Sequence, residues 1–368
     1  MKTAIRIPVY QPDLGGNEKK YVNECLDSTW ISSKGEFLQR FEQRFAELTG
    51  VPRATAVCNG TVAMHLALLA MGIGPGDEVL VPTLTYVASV NPILYLGARP
   101  VFVDSRPDTW QVDPEDVRKK ITPRTRALIV VHLYGHPCDM DPLMHIVREH
   151  GVLLLEDCAE AIGARYKGRP VGSFGHMAAY SFFGNKTVTT GEGGMVVTHD
   201  DTLFERAVHL KGQGLARGRQ YWHDVVGYNY RMTNICAAIG LAQLERLDEL
   251  LKRKRALILR YREALQGLPV TLHGESPDVF HAYWMCSILV ERAEDRDPLR
   301  DFLLARGIET RPVFYPVHTM PMYAGRFESH PVAEDIARRG INLPSGPGLG
   351  REEIHEIAAG IGDYYQRG

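Results

Sequence analysis

The sequence predicts an α/β protein whose mostly parallel sheet is covered by helices on both faces. From Ala54 to about Ala164, short apolar runs alternate with segments of helical spacing. The runs are continuously apolar rather than alternating, as expected for strands buried on both sides. With 368 residues, 45% of them hydrophobic and 23% charged, the chain is long enough for one large domain plus a smaller one.

Two amphipathic helices are expected first, in "GNEKKYVNECLDSTW" and "KGEFLQRFEQRFAELTG", the second stopped by Gly50. The alternation then runs "ATAVCN" (strand), "GTVAMHLALLAMG" (helix), "EVLVPT" (strand), "YVASVNPILYLG" (helix), "RPVFVD" (strand) and "DPEDVRKKI" (helix). It continues with "RALIVVHLY" (strand), "DMDPLMHIVREHG" (helix) and "VLLLED" (strand), and "AAYSFF" and "GMVVTHD" bring the expected strands to seven. One long helical stretch is expected through "TNICAAIGLAQLERLDELLKRKRALILRYREALQG". Residues 1–250 are thereby assigned to the large domain with its N-terminal helical segment. Residues 251–368 form a smaller α+β domain entered through the long helix. Its own pattern starts near Pro269, with strands in "AYWMCSILV" and "IETRPVF" and helices in "DPLRDFLLARG" and "REEIHEIAAGIGDYYQRG".

The 42 Lys and Arg against 44 Asp and Glu give a formal net charge of −2, and no block of like charge favours nucleic acid or anionic lipid. Small-molecule chemistry is the expectation. The six Cys are scattered singly, so reduced, buried thiols are expected. No run approaches the roughly 20 apolar residues of a spanning helix, and the N-terminus lacks the apolar core of a signal peptide, which together point to the cytoplasm. The 14 His include no HExxH, and "HLYGHPCDMD" lacks zinc spacing, so no metal is expected.

In open parallel sheets, ligands gather at the carboxyl ends of the strands. Asp157 ends "VLLLED", and Lys186 stands in the glycine-rich "SFFGNKTVTTGEGGMVVT". Taken singly, Asp157 reads as a helix cap and Lys186 as a solvated loop lysine. Taken together they answer two demands of pyridoxal 5′-phosphate: a carboxylate that keeps the ring nitrogen protonated, and an amine that holds the aldehyde as an imine. A third demand is a phosphate site, and Gly60 and Thr61, opening a helix directly after the first strand, offer close backbone approach, a hydroxyl and free N–H groups. Ser181 offers a second hydroxyl and Tyr86 a flat ring for stacking, although a strand-end turn and a packing aromatic are their ordinary uses.

These motifs, with "TWISSKGEFLQRFE", "VHLYGHPCDMD", "LEDCAEAIGA", "GYNYRMTNICAAIGLAQLE" and "RPVFYPVHTMPMY", resemble the DegT/DnrJ/StrS sugar aminotransferases of pyridoxal-phosphate fold type I over essentially the whole chain. The resemblance implies Lys186 as the Schiff-base lysine and Asp157 as the ring-nitrogen partner. It implies Gly60, Thr61 and Ser181 as phosphate binders and Tyr86 as the ring cover. Glu160 falls where many members carry Gln, beside the cofactor's phenolic oxygen. Asn229 matches an asparagine that reaches the phosphate of the partner subunit, which implies a homodimer with shared active sites. Trp30, Ser32 and Ser33, and Arg311, Phe314, Tyr315 and His318, resemble substrate-side elements.

Within the family the wording is most similar to members that aminate a GDP-linked 4-keto-6-deoxy sugar with L-glutamate. Members acting on UDP- or dTDP-linked ketosugars or on cyclitol ketones share much of it. Dehydratases of the family replace the lysine by His, so Lys186 argues for amino transfer. A non-catalytic binding protein of the same fold is the alternative from another class.

Overall fold

The computed structural model describes residues 4–325 and 328–366. Helices α1 (Glu18–Ser28) and α2 (Glu36–Thr49) precede strand β1 (Arg53–Val57), which leads into α3 (Gly60–Ala70). The alternation continues with β2 (Glu78–Pro82), α4 (Asn91–Tyr95), β3 (Arg99–Val103), α5 (Pro114–Lys120), β4 (Thr125–Val131), α6 (Met140–His150) and β5 (Leu153–Asp157). Two short strands, β6 (Arg165–Tyr166) and β7 (Arg169–Pro170), precede β8 (Met177–Ser181) and β9 (Gly194–Thr198).

Seven of these strands form the central sheet in the order β1-β9-β8-β5-β4-β2-β3. Neighbours are parallel except at β9, which is antiparallel to both β1 and β8. The mostly parallel seven-stranded sheet expected from the apolar runs is therefore present. Val57 and Ser181 both pair with Gly194, so the ends of β1 and β8 meet the start of β9 at one edge of the sheet. The loop joining β8 to β9, which carries Lys186, must cross that same edge.

Helix α7 (Asp201–Lys211) is followed by α8 (Asn234–Glu245) and α9 (Leu247–Ala264). The single long helix expected here is thus two, broken at Arg246, where φ is −110° and ψ is 8°. No Gly or Pro marks the break. The Arg246 guanidinium instead bonds Asp13 of the N-terminal segment, a contact across the chain, and Glu249 in the first turn of α9. The expected boundary after residue 250 falls within the first turn of α9. The helix expected over "YVASVNPILYLG" is a 3-10 turn, Val87–Ser89, followed by the five-residue α4, with Pro92 at its start.

Beyond α9, the second sheet contains β10 (Val270–Leu272), while β11 (Val279–Phe280) pairs with β6 in a three-stranded sheet with β7. Strand β12 (Cys286–Val290), helix α10 (Arg296–Ala305), strand β13 (Arg311–Pro312), helix α11 (Pro331–Arg339) and strand β14 (Gly340–Leu343) follow, closed by α12 (Arg351–Gln366). The second sheet runs β10-β12-β14-β13 and is antiparallel throughout. The "IETRPVF" strand shrinks to Arg311–Pro312. Strand β14, central to the sheet, was not anticipated, because "GINL" is too short to show a period. The last two residues of the expected closing helix lie outside the described residues.

Lys254 of α9 is 1% exposed and donates to the carbonyls of Trp284 at 2.9 Å and Ser345 at 2.6 Å. Burial depresses its pKa from 10.5 to about 7. The unfolded chain takes up this proton as pH falls below 10.5, whereas the fold resists until about 7. Stability should therefore fall as pH drops through that window, by on the order of 4 kcal/mol from this group. The measurement is the urea midpoint of the wild type minus that of Lys254→Met at pH 7 and pH 10. The difference should be less favourable to the wild type at pH 7, and a pH-independent difference would exclude a buried neutral amine.

Candidate active site

Asp157 is the last residue of β5, at the carboxyl edge of the central sheet. Its Oδ2 accepts the Ser89 hydroxyl at 2.7 Å and its Oδ1 the Ala159 N–H at 3.0 Å. Burial pushes its pKa up, opposed by those two donors and by the charge of Lys186. Among the described residues no cation lies within ion-pair distance of it, so this buried carboxylate has an unmet demand for positive charge.

Lys186 reaches the same space from the β8–β9 loop. Its Nζ lies 3.6 Å from Glu160 Oε1 and 3.6 Å from the centre of the Trp284 ring. Burial lowers its pKa. The loop is held through its backbone: the Tyr10 hydroxyl donates to the Lys186 carbonyl at 3.0 Å, and the Trp284 indole N–H donates to the Asn185 carbonyl at 2.7 Å. The other oxygen of Glu160, Oε2, accepts the Tyr134 N–H at 2.7 Å. Burial raises the Glu160 pKa to about 7.

The N-terminus of α3 lines the same space. Asn59 caps the helix by accepting the Val62 N–H at 3.0 Å. A Cβ on Gly60 would lie 2.7 Å from the Ser181 Cβ, so only glycine permits this approach of helix to strand. The free N–H groups of the first turn, the Thr61 hydroxyl and the Ser181 hydroxyl form a cradle suited to an anion. A carboxylate short of a cation, a buried amine and an anion cradle lining one space fit the ring nitrogen, aldehyde and phosphate of pyridoxal phosphate.

Gly60, Thr61, Tyr86, Asp157, Glu160, Ser181 and Lys186 all line one cavity of about 620 Å³, and Arg311 and Phe314 line it too. The Tyr86 ring lies 5.6 Å from that of Phe314, which stacks on Tyr134 at 5.3 Å. Other expected residues lie elsewhere in the chain's own fold. Trp30 and Ser33 line a second cavity of about 740 Å³ beside α2. The Ser32 carbonyl accepts the Asn234 N–H. Tyr315 is half exposed, beneath the Arg296 guanidinium. His318 is buried, 2.7 Å from Thr83 Oγ1 and 3.2 Å from Glu334 Oε1. Asn229 pairs with Gly212 through its backbone and accepts Arg231 at 3.4 Å.

Sequence reasoning missed Trp284, Tyr134 and Ser89. "AYWMCSILV" reads as one strand, whereas β12 begins only at Cys286 and leaves Trp284 free to face the lysine. Tyr134 donates its N–H to Glu160 and carries a left-handed φ of 56°, a conformation that no residue-type signal announces. His132, Glu156 and Cys158 also converge. There His132 Nδ1 accepts the Cys138 N–H, and Glu156 accepts His132 Nε2 and the N–H groups of Gly172, Phe174 and Gly175. That set of bonds ties the 172–175 turn to β5.

Residues 12–362 match the DegT/DnrJ/EryC1/StrS aminotransferase family. The chain is 61% identical to the GDP-perosamine synthase of Escherichia coli O157:H7 over 98% of each chain, and 52% identical to that of Vibrio cholerae over 98% of this chain and 99% of the other. Its fold superimposes on S. venezuelae DesV with a TM-score of 0.90 at 40% identity, covering 96% of this chain and 95% of the other. It superimposes on the PLP form of Spr1654 from Streptococcus pneumoniae with a TM-score of 0.93 at 28% identity, covering 98% and 99%. The chain belongs to the DegT/DnrJ/EryC1/StrS aminotransferase family, whose members depend on pyridoxal 5′-phosphate.

Proposed function

We propose that the protein transfers the amino group of L-glutamate to the 4-keto group of GDP-4-keto-6-deoxy-D-mannose, giving GDP-perosamine and 2-oxoglutarate. The observation that carries the chemistry is the convergence of the Lys186 amine, the Asp157 carboxylate and an anion cradle at the start of α3 on one cavity. The choice of sugar rests on similarity to the GDP-perosamine synthases.

In this reading Asp157 faces the ring nitrogen of the cofactor, Gly60, Thr61, Ser181 and the first turn of α3 hold its phosphate, and Tyr86 covers its ring. Glu160 lies by its phenolic oxygen. Bound pyridoxal phosphate supplies an electron sink for the pair left when a proton leaves the carbon bearing nitrogen. Lys186 anchors the aldehyde and, once released, moves that proton as general base and then acid. Glutamate and the ketosugar use one site in turn, so ping-pong kinetics are expected. Among the described residues lining the cavity, Arg311 is the cation besides Lys186, and it is suited to a substrate carboxylate or phosphate.

We assign the functional unit as a homodimer. Tyr221 is 92% exposed and Val226 88%, with Trp222 and Val225 between them also exposed, an apolar surface suited to a second copy. Asn229 follows in the same loop and is assigned to the partner's phosphate site. Trp30, Ser32, Ser33, Tyr315 and His318 are assigned to the substrate side of the assembled site. Among the described residues no helix is long and apolar enough to cross a membrane. The six unpaired cysteines favour the cytoplasm.

The test is product analysis with GDP-4-keto-6-deoxy-D-mannose and L-glutamate. Amino sugar and 2-oxoglutarate should appear in equal amounts, about tenfold or more faster than with UDP- or dTDP-linked ketosugars. Preference for another nucleotide would displace the GDP assignment.

A further inference from the structure

The amine of Lys186 is enclosed on two sides. Glu160 Oε1 lies 3.6 Å from Nζ on one, and the Trp284 ring centre 3.6 Å from it on the other. The two carboxylates beside the amine are differently committed. Both oxygens of Asp157 already accept hydrogen bonds, from Ser89 and Ala159. Glu160 spends Oε2 on the Tyr134 N–H and turns Oε1 to the amine. Lys186 and Glu160 are 12% and 5% exposed at their side chains, so water competes poorly for a proton passed between them.

We propose that Lys186 and Glu160 share a single proton, with Glu160 holding it whenever Lys186 serves as a free amine. The inference rests on the reading of Lys186 as the reacting amine and deepens it. In the exchange an N–H bond of the ammonium breaks, its electron pair stays on nitrogen, and an O–H bond forms at Glu160 Oε1. The pair is neutral overall before and after. The gap must close to the roughly 2.7–3.2 Å of a hydrogen bond, a shift that the lysine torsions supply. The Trp284 face, 3.6 Å from Nζ, attracts the charged form and so favours the ammonium while Glu160 is ionised.

Burial acts on the partners in opposite senses, raising Glu160 and lowering Lys186, which brings their proton affinities together. The titratable groups facing Glu160 are Lys186 from the β8–β9 loop, Asp157 from β5 and Tyr134 from the segment after β4. Burial holds the Tyr134 phenol protonated, so it does not compete.

The experiment uses full-length protein freed of cofactor. Lys186 is pulse-labelled with acetic anhydride from pH 6.5 to 8.5 and its labelling is quantified by peptide mass spectrometry. An unpaired amine gains about tenfold in reactive fraction per pH unit below its pKa. A pair sharing one proton keeps a constant neutral-amine fraction between its two macroscopic titrations. The wild type should therefore label at a nearly flat rate, and Glu160→Gln should follow a single titration with a rising limb or a plateau displaced from the wild type. Identical profiles in the two proteins overturn the proposal. So does a wild-type rate that climbs about tenfold per unit, which decides the matter even where Glu160→Gln fails to fold. Borohydride reduction of the cofactor-loaded protein with peptide mapping tests the anchor separately. Label on a lysine other than Lys186 would sink that reading, while the acetylation profiles still report on the pair.

Discussion

Lys186→Ala should turn over at least about 10⁴-fold more slowly than the wild type while remaining folded. The loss combines the covalent anchor with a general acid–base that alone contributes about 10²- to 10⁴-fold. Folding should survive because the loop is not held by the lysine side chain. The bonds from Tyr10 and Trp284 go to the backbone carbonyls of Lys186 and Asn185. Glu160, left without its cation, meets the change by keeping its proton, as its raised pKa permits. The measurement pairs amino-sugar formation with circular dichroism and a melting curve. A folded variant that aminated the ketosugar at the normal rate would remove Lys186 from the chemistry.

Asp157→Asn should lower kcat by about 10²- to 10⁴-fold, the size expected when a buried charge loses its partner at a cost of about 3–5 kcal/mol. The substitution separates charge from structure. An amide at this position still accepts the Ala159 N–H through its oxygen. Its NH₂ can donate to Ser89, whose hydroxyl turns to its other neighbour, Thr85, 2.8 Å away. The fold should therefore hold while the anion is lost. Both half-reactions should slow together, because each needs the same electron sink. A variant with unchanged kcat in either half would show that Asp157 does not face the ring nitrogen.

The elements most legible in the sequence were those governed by local rules. Continuous apolar runs such as "RALIVV" and "VLLLED" mark doubly covered strands, and all seven strands of the central sheet were expected. The misread stretches share a cause, namely long-range contacts overriding a local pattern. At the break Arg246 bonds Asp13, far away in the chain, and β14 lies between β12 and β13. The five-residue α4 is a partial exception, since Pro92 gave a local hint.

Residue chemistry and strand ends were set by the sequence alone: a carboxylate closing β5, an amine in a glycine-rich loop, a glycine and a threonine opening α3. Those follow from side-chain type and from periods read within a few residues. Only the tertiary structure decided which of them meet. Inserting β9 antiparallel between β1 and β8 sets Ser181 against Gly60 and carries Lys186 over the sheet edge to Glu160. The same packing placed Trp284 over the amine and buried His318 against Thr83 and Glu334 instead of lining the cavity. Strand order and the turn at Tyr134 are global properties of the packed chain, and distances between residues remote in sequence depend on them.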